Sequence, residues 1–130
     1  MKTIHMSGKR KKAVARATLH DGARGVHINH QSINVWSTPF AREKVREPLL
    51  VAGELPQIQV DINVIGGGPT SQAEASRVAL ARVLVGMDKK LEKKFLEYDR
   101  HLLVEDVRRK ESRKPNRHGK ARSKTQKSYR

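Results

Sequence analysis

The most regular pattern in the chain is "QIQVDINVIGGG", where Ile58, Val60, Ile62 and Val64 occupy alternate positions ahead of Gly66, Gly67 and Gly68. Strict alternation predicts a half-buried strand, and the glycines end it. Directly after it, "TSQAEASRVALARVLVG" sets Ala75, Val78, Ala79, Arg82 and Val85 at helical spacing, with Ser71 and Glu74 as a capping box and Gly86 as the stop. A second helix is predicted over "DKKLEKKFLEYD", with Leu91, Phe95 and Tyr98 on one stripe and Lys90, Lys93 and Lys94 largely off it. Upstream, the segment Ala13 to His20 and "VHINH", in which Val26 and Ile28 alternate with His27 and Asn29, flank "DGARG" and predict a hairpin with a glycine-containing loop. "TPFAREKVREPLLVAGE" offers Thr38 as N-cap, Pro39 at the first helical position and Pro48 as a breaker, hence one or two short helices. "HLLVEDV" reads either as a short final strand or as an extended cover over the core. Strands and helices in this order point to an α+β or split α/β sandwich.

Charge changes the picture. The 130 residues suit one domain, yet the formal net charge is +15, and like charges crowded on so small a body call for a polyanionic partner. Residues 108–130 hold 11 Lys and Arg against a single acid, Glu111, whereas residues 1–107 hold 17 against 12 acids. Within the last 23 residues Ala121 and Tyr129 alone are hydrophobic, too little to offset ordering entropy. The chain therefore divides into a globular part, 1–107, and a basic C-terminal extension, 108–130, expected to be disordered in isolation. Fully extended, that extension spans up to roughly 80 Å at about 3.3 to 3.6 Å per residue. A second basic cluster, Lys9, Arg10, Lys11, Lys12 and Arg16, lies at the start of the globular part. There is no run of eighteen apolar residues and no apolar N-terminal stretch of the secretory kind, so an intracellular protein without a membrane span is expected. No cysteine is present and the six histidines are scattered, so neither a disulfide, a metal site nor a cofactor is expected.

The strand, glycines and capped helix around Gly66, Gly67 and Gly68 form the sharpest local feature. Glycines let a backbone approach a phosphate closely, and a helix N-terminus adds unsatisfied N–H groups. A nucleoside-triphosphate loop needs Gly-Lys and then Ser or Thr, whereas Pro69, Thr70 and Ser71 stand here, so nucleotide hydrolysis is excluded. Two readings remain: glycines for a tight strand-to-helix turn, or a contact with a nucleic-acid backbone. An enzyme needs a constellation, and Glu54, Asp61, Glu74 and Asp88 show no motif pairing them with a base or a metal ligand. The classes left by composition are an RNA-assembly protein and a DNA compactor, with no small-molecule substrate.

"GGGPTSQAEASRVALARVL" resembles the signature segment of the ninth family of universal small-subunit ribosomal proteins, with Gln72, Ala75, Arg77, Ala79 and Arg82 at its pattern positions. "GKRKKAVARA" is similar to that family's basic opening strand, "REPLL" to its central helix, and "QKSYR" to the ending of its archaeal and eukaryotic branch. The resemblance covers essentially the whole chain. It implies a two-layer sandwich of the split β-α-β type, about four strands packed on two main helices, seated in the cytoplasmic ribosome in the head of the small subunit. The implied partners are small-subunit ribosomal RNA, neighbouring ribosomal proteins of the head and peptidyl-site tRNA, whose anticodon stem-loop the tail would reach. Candidate ribosomal RNA contacts are Lys9, Arg10, Lys11, Lys12 and Arg16; Gly66, Gly67, Gly68, Thr70, Gln72 and Arg77; and Arg108, Arg109, Lys110, Arg113, Lys114, Arg117, Lys120 and Arg122. The same resemblance puts Lys127, Ser128, Tyr129 and Arg130 at the tRNA, where the Tyr129 ring offers a flat face for a base or sugar.

Overall fold

The computed structural model describes residues 3–22, 25–53, 57–116 and 121–122. Five strands, β1 (Ile4–Arg10), β2 (Ala13–His20), β3 (Gly25–Ile28), β4 (Gln31–Ser32) and β5 (Gln59–Ile65), form one sheet in the order β1-β2-β5-β3-β4. Helix α1 (Pro39–Ala52) precedes β5, while α2 (Pro69–Met87), α3 (Lys90–Tyr98) and a 3-10 turn (Arg100–Leu102) follow it. Neighbouring strands are antiparallel except β3 and β5, which run parallel because α1 carries the chain back between them.

Period-two burial builds the core. Ala13, Ala15, Ala17 and Leu19 of β2, Val60, Ile62 and Val64 of β5, and Val26 and Ile28 of β3 all turn to one face. Helix α2 packs on that sheet, its buried Ala73, Ala75, Ala79, Leu80, Val83 and Leu84 joining the same core, and α1 packs against α2 and α3. The result is the expected α+β arrangement, with five strands and three helices among the described residues rather than about four and two.

Several local expectations are corrected. The hairpin across "DGARG" does not form, because β5 inserts between β2 and β3. The strand with the strictest alternation pairs with seven residues of β2 and leaves the four-residue β3 on its far side. The tight hairpin is instead β1–β2, turning at Lys11 and Lys12 with Lys11 at φ +53°. Strand β1 is hard to see in the hydrophobic pattern because its inward positions are Ile4, Met6, Gly8 and Arg10. Pro48 does not break α1. The helix runs 14 residues through it, with the proline buried, Thr38 Oγ1 accepting from the Ala41 N–H and the Gly53 N–H donating to Leu49.

Helix α2 starts earlier than its expected capping box, at Pro69 with Gly68 as N-cap, so Ser71 sits in the first turn and Glu74 is free to bind elsewhere. It also passes Gly86, where a Cβ would stand 3.0 Å from Ile4 Cγ2, and ends at Met87. Leu91 and Phe95 of α3 are buried, but Tyr98 is exposed. "HLLVEDV" forms no strand; it contributes the 3-10 turn, the buried Leu102 and an extended cover. Expected disorder of the extension falls largely on residues 117–120 and 123–130, which lie outside the described residues. Among the described residues, no helix is long and apolar enough to cross a membrane, and no cluster of His, Cys, Asp and Glu could hold a metal ion.

Candidate nucleic-acid interface

Two turns meet at one end of the sheet. Gly66 and Gly67 take φ of +78° and +66°, and a Cβ on Gly66 would stand 2.4 Å from the Lys12 carbonyl oxygen. Left-handed backbone and this close approach together require glycine. A Cβ on Gly67 would meet the Ala13 nitrogen and Cβ and the Ser71 Cβ, all at 3.2 Å. The glycine loop therefore sits directly on the β1–β2 turn. Gln72 Nε2 donates to the Gly66 carbonyl at 3.1 Å, tying the loop to the first turn of α2.

Beside these turns lies a third wall, made by Arg108, Arg109 and Lys110. The three enclose a groove of about 650 Å³ lined by Arg10, Lys11, Lys12, Gly67, Gly68, Ser71 and Arg108, Arg109 and Lys110. Six of those nine residues are cationic and none is acidic. The N-terminus of α2, with Thr70 exposed on its first turn, adds unsatisfied N–H groups and a positive partial charge to the same place. Concave, cationic and built partly of backbone amides, such a groove suits phosphate oxygens.

Acids hold the walls from behind. Arg10, 13% exposed, donates from Nε to Glu74 at 2.6 Å and lies 3.7 Å from Asp106. Asp106 accepts from Arg108 Nη2 at 2.6 Å, from Arg108 Nε at 2.9 Å, and from the Arg108 backbone N–H at 3.0 Å. Hydrogen bonding by Arg108 holds the Asp106 carboxyl far below the usual carboxylate range, and Asp106 raises the Arg108 guanidinium in turn.

The remaining sequence candidates are distributed as follows. Lys9 and Arg16 are exposed and, by register, share the opposite face of the sheet. Arg77 does not join the groove; it is buried, with Nη2 2.6 Å from Glu47 and 3.2 Å from Asp99, so its charge is committed to joining α1, α2 and the end of α3. Burial pushes the Asp99 carboxyl up, but hydrogen bonds from the His101 N–H and from Arg77 outweigh it and leave it below its ordinary value of 3.8. Arg113 and Lys114 are exposed. Arg122 is exposed and bonds Glu111, with Nε 2.8 Å from Oε2, which lowers the Glu111 carboxyl. Arg117, Lys120, Lys127, Ser128, Tyr129 and Arg130 lie outside the described residues.

Sequence reasoning missed Ser71 as a groove residue and Glu74 and Asp106 as supports. For the second, the signal was present: Glu105 and Asp106 stand immediately before an almost wholly basic run.

Residues 8–130 match the family model described as ribosomal protein S9/S16. Small ribosomal subunit protein uS9 of Methanococcus maripaludis, strains C5 and C7, is 46% identical over 134 residues, covering 100% of each chain. The protein of the same name from Methanococcus vannielii is 43% identical over the same span and coverage. The matched family is one of ribosomal proteins and not of enzymes, in line with a sequence that offers no catalytic constellation. With the model match running from the β1 strand to the last residue, the chain belongs to the ribosomal protein S9/S16 family.

Proposed function

We propose that this chain is a structural component of the small ribosomal subunit, whose body binds ribosomal RNA through the cationic groove and whose C-terminal extension reaches the peptidyl-site tRNA. One observation carries the RNA part: six cations from two separate segments converge on the glycine loop and the α2 N-terminus. Arginine forks there engage phosphates bidentately, while Lys11 and Lys12 supply mobile point charge. Lys9 and Arg16 would contact RNA from the opposite face of the sheet. Beyond the Arg108–Lys110 wall, the extension has little to bury and takes its shape from the phosphates it neutralises. Their ending, Lys127 to Arg130, matches the ending that the resemblance associates with tRNA, and Tyr129 contributes about 1 to 3 kcal/mol if it stacks on a base. Neighbouring proteins of the subunit head complete the partner set.

Filter binding of the full chain to small-subunit ribosomal RNA, with duplex DNA as competitor, tests the reading. The RNA is expected to win, and the Lys11→Ala/Lys12→Ala/Arg109→Ala variant to bind it more weakly. Equal competition by duplex DNA would favour a compactor and overturn the assignment. Deleting Tyr129 and Arg130 should leave assembly intact and weaken tRNA holding in the peptidyl site; unchanged tRNA affinity of purified subunits would refute the tail's part.

A further inference from the structure

A carboxylate beside the most basic part of a phosphate-binding surface should, on net charge alone, weaken binding. Asp106 stands in that position, between Arg10 and Arg108, and neither contact is incidental. Arg108 folds its fork back two residues along the chain, so that one carboxylate accepts from the backbone N–H, Nε and Nη2 of the same residue. A guanidinium has five N–H donors; this arrangement uses the Nε–H and one Nη2–H and leaves the Nη1 edge for a ligand oxygen in the groove that Arg108 lines.

The chain leading to Asp106 is clipped as well. Arg82 of α2 donates from Nε to the Leu103 carbonyl at 3.0 Å, and from Nη1 to the Ser7 carbonyl at 2.7 Å and to Glu105 at 3.1 Å. Leu103, Glu105 and Asp106 are thus tied in succession to α2 and β1 before the chain turns basic. Arg10, braced by Glu74, is the last of these ties and also the first cation of the groove.

Resting on the RNA-binding function proposed above, we propose that Asp106 is a positioning residue. By gripping Arg108 against Arg10, it sets the direction in which the basic extension leaves the body and holds the Arg108, Arg109 and Lys110 wall opposite the Lys11–Lys12 turn. The acid strengthens RNA binding, because an ordered wall loses less freedom when phosphate arrives than a free one.

The sign of one measurement decides. In the full chain, Asp106→Asn removes a negative charge and keeps the shape. Its affinity for small-subunit ribosomal RNA, followed by filter binding across a salt series, is expected to fall about two- to fivefold, the equivalent of one solvent-exposed ion pair. The slope against salt should stay the same, since no cation is lost. Affinity that is unchanged or higher, as the gain of net charge alone would give, overturns the proposal. In an Arg108→Ala background the same substitution should have little effect; an undiminished loss there would mean that Asp106 does not act through Arg108. If Asp106→Asn unfolds the protein, Arg108→Lys serves instead: it preserves charge and loses the fork, so equal affinity would overturn the proposal. Failure of the unaltered chain to bind the RNA sinks the functional reading itself, an outcome separable from both variants.

Discussion

Gly66, Gly67 and Gly68 are adjacent but not equivalent. The first two have left-handed backbone, with no room for a Cβ at Gly66 and a tight fit at Gly67; Gly68 has φ −104° and ψ 179°, and a Cβ there meets nothing within 4 Å. Gly66→Ala is therefore expected to cost about 2 kcal/mol or more, since strain is added to a clash with the Lys12 carbonyl. Gly68→Ala should cost less than about 1 kcal/mol, as a weaker N-cap, yet weaken RNA binding where phosphate approaches the bare backbone. Urea unfolding and filter binding on the two variants separate the effects; equal destabilisation would contradict the geometry. Gly8 obeys a third rule. A Cβ on it would stand 2.5 Å from the Ala75 carbonyl oxygen and 2.7 Å from the Ala79 nitrogen, both backbone atoms that cannot step aside. Gly8→Ala should lower stability by about 1–3 kcal/mol, measured by the same unfolding, through separation of β1 from α2. The spacing of Ala75 and Ala79 thus serves a strand lying directly on a helix.

Helix α2 reaches α1 and the end of α3 through Arg77, whose guanidinium lies between Glu47 and Asp99. Removing one partner of a buried ionic contact costs about 3–5 kcal/mol, and the partly exposed carboxylates put Arg77→Ala at or below the lower end. Asp99 is held below 3.8 in the folded chain, so its contribution to stability is complete above that pH and is lost as the pH falls through the depressed value. Thermal unfolding of the unaltered protein should consequently show a midpoint that drops on acidification below pH 3.8, and Arg77→Met should flatten that drop. Parallel curves for both proteins would remove Asp99 from the account. Sequence pattern revealed β5, α2 and α3, because their apolar residues repeat with the period of the element. It did not reveal β1, whose inward side is completed by Gly8 and Arg10, nor the central place of β5, because strand order depends on pairing across long sequence separation. The charge clusters named most of the groove, since cations are visible wherever they fall. Arg77 lies outside the groove, and the sequence did not show why, because its acid partners come from α1 and the end of α3.

Charge and core occupy different parts of the chain. Among the described residues the last buried hydrophobic is Leu102, whereas residues 108–130 carry 11 cations against one acid. A chain ending at Val107 keeps every core contact so far described, together with Arg82, Glu105, Asp106, and the Arg10 to Glu74 pair. It loses one wall of the groove and two thirds of the net charge. Its unfolding midpoint should remain close to that of the full chain, while its affinity for small-subunit ribosomal RNA falls steeply at low salt. Each phosphate contact contributes about 0.7 to 0.9 to the slope of log K against log salt, so loss of about six contacts takes roughly 4 to 5 from it. The two proteins should then converge at high salt, where released counterions no longer drive association. If the truncated chain instead kept the full slope, the cations beyond Val107 would have to be solvated in the complex, and binding would belong to the β1–β2 turn and the glycine loop alone.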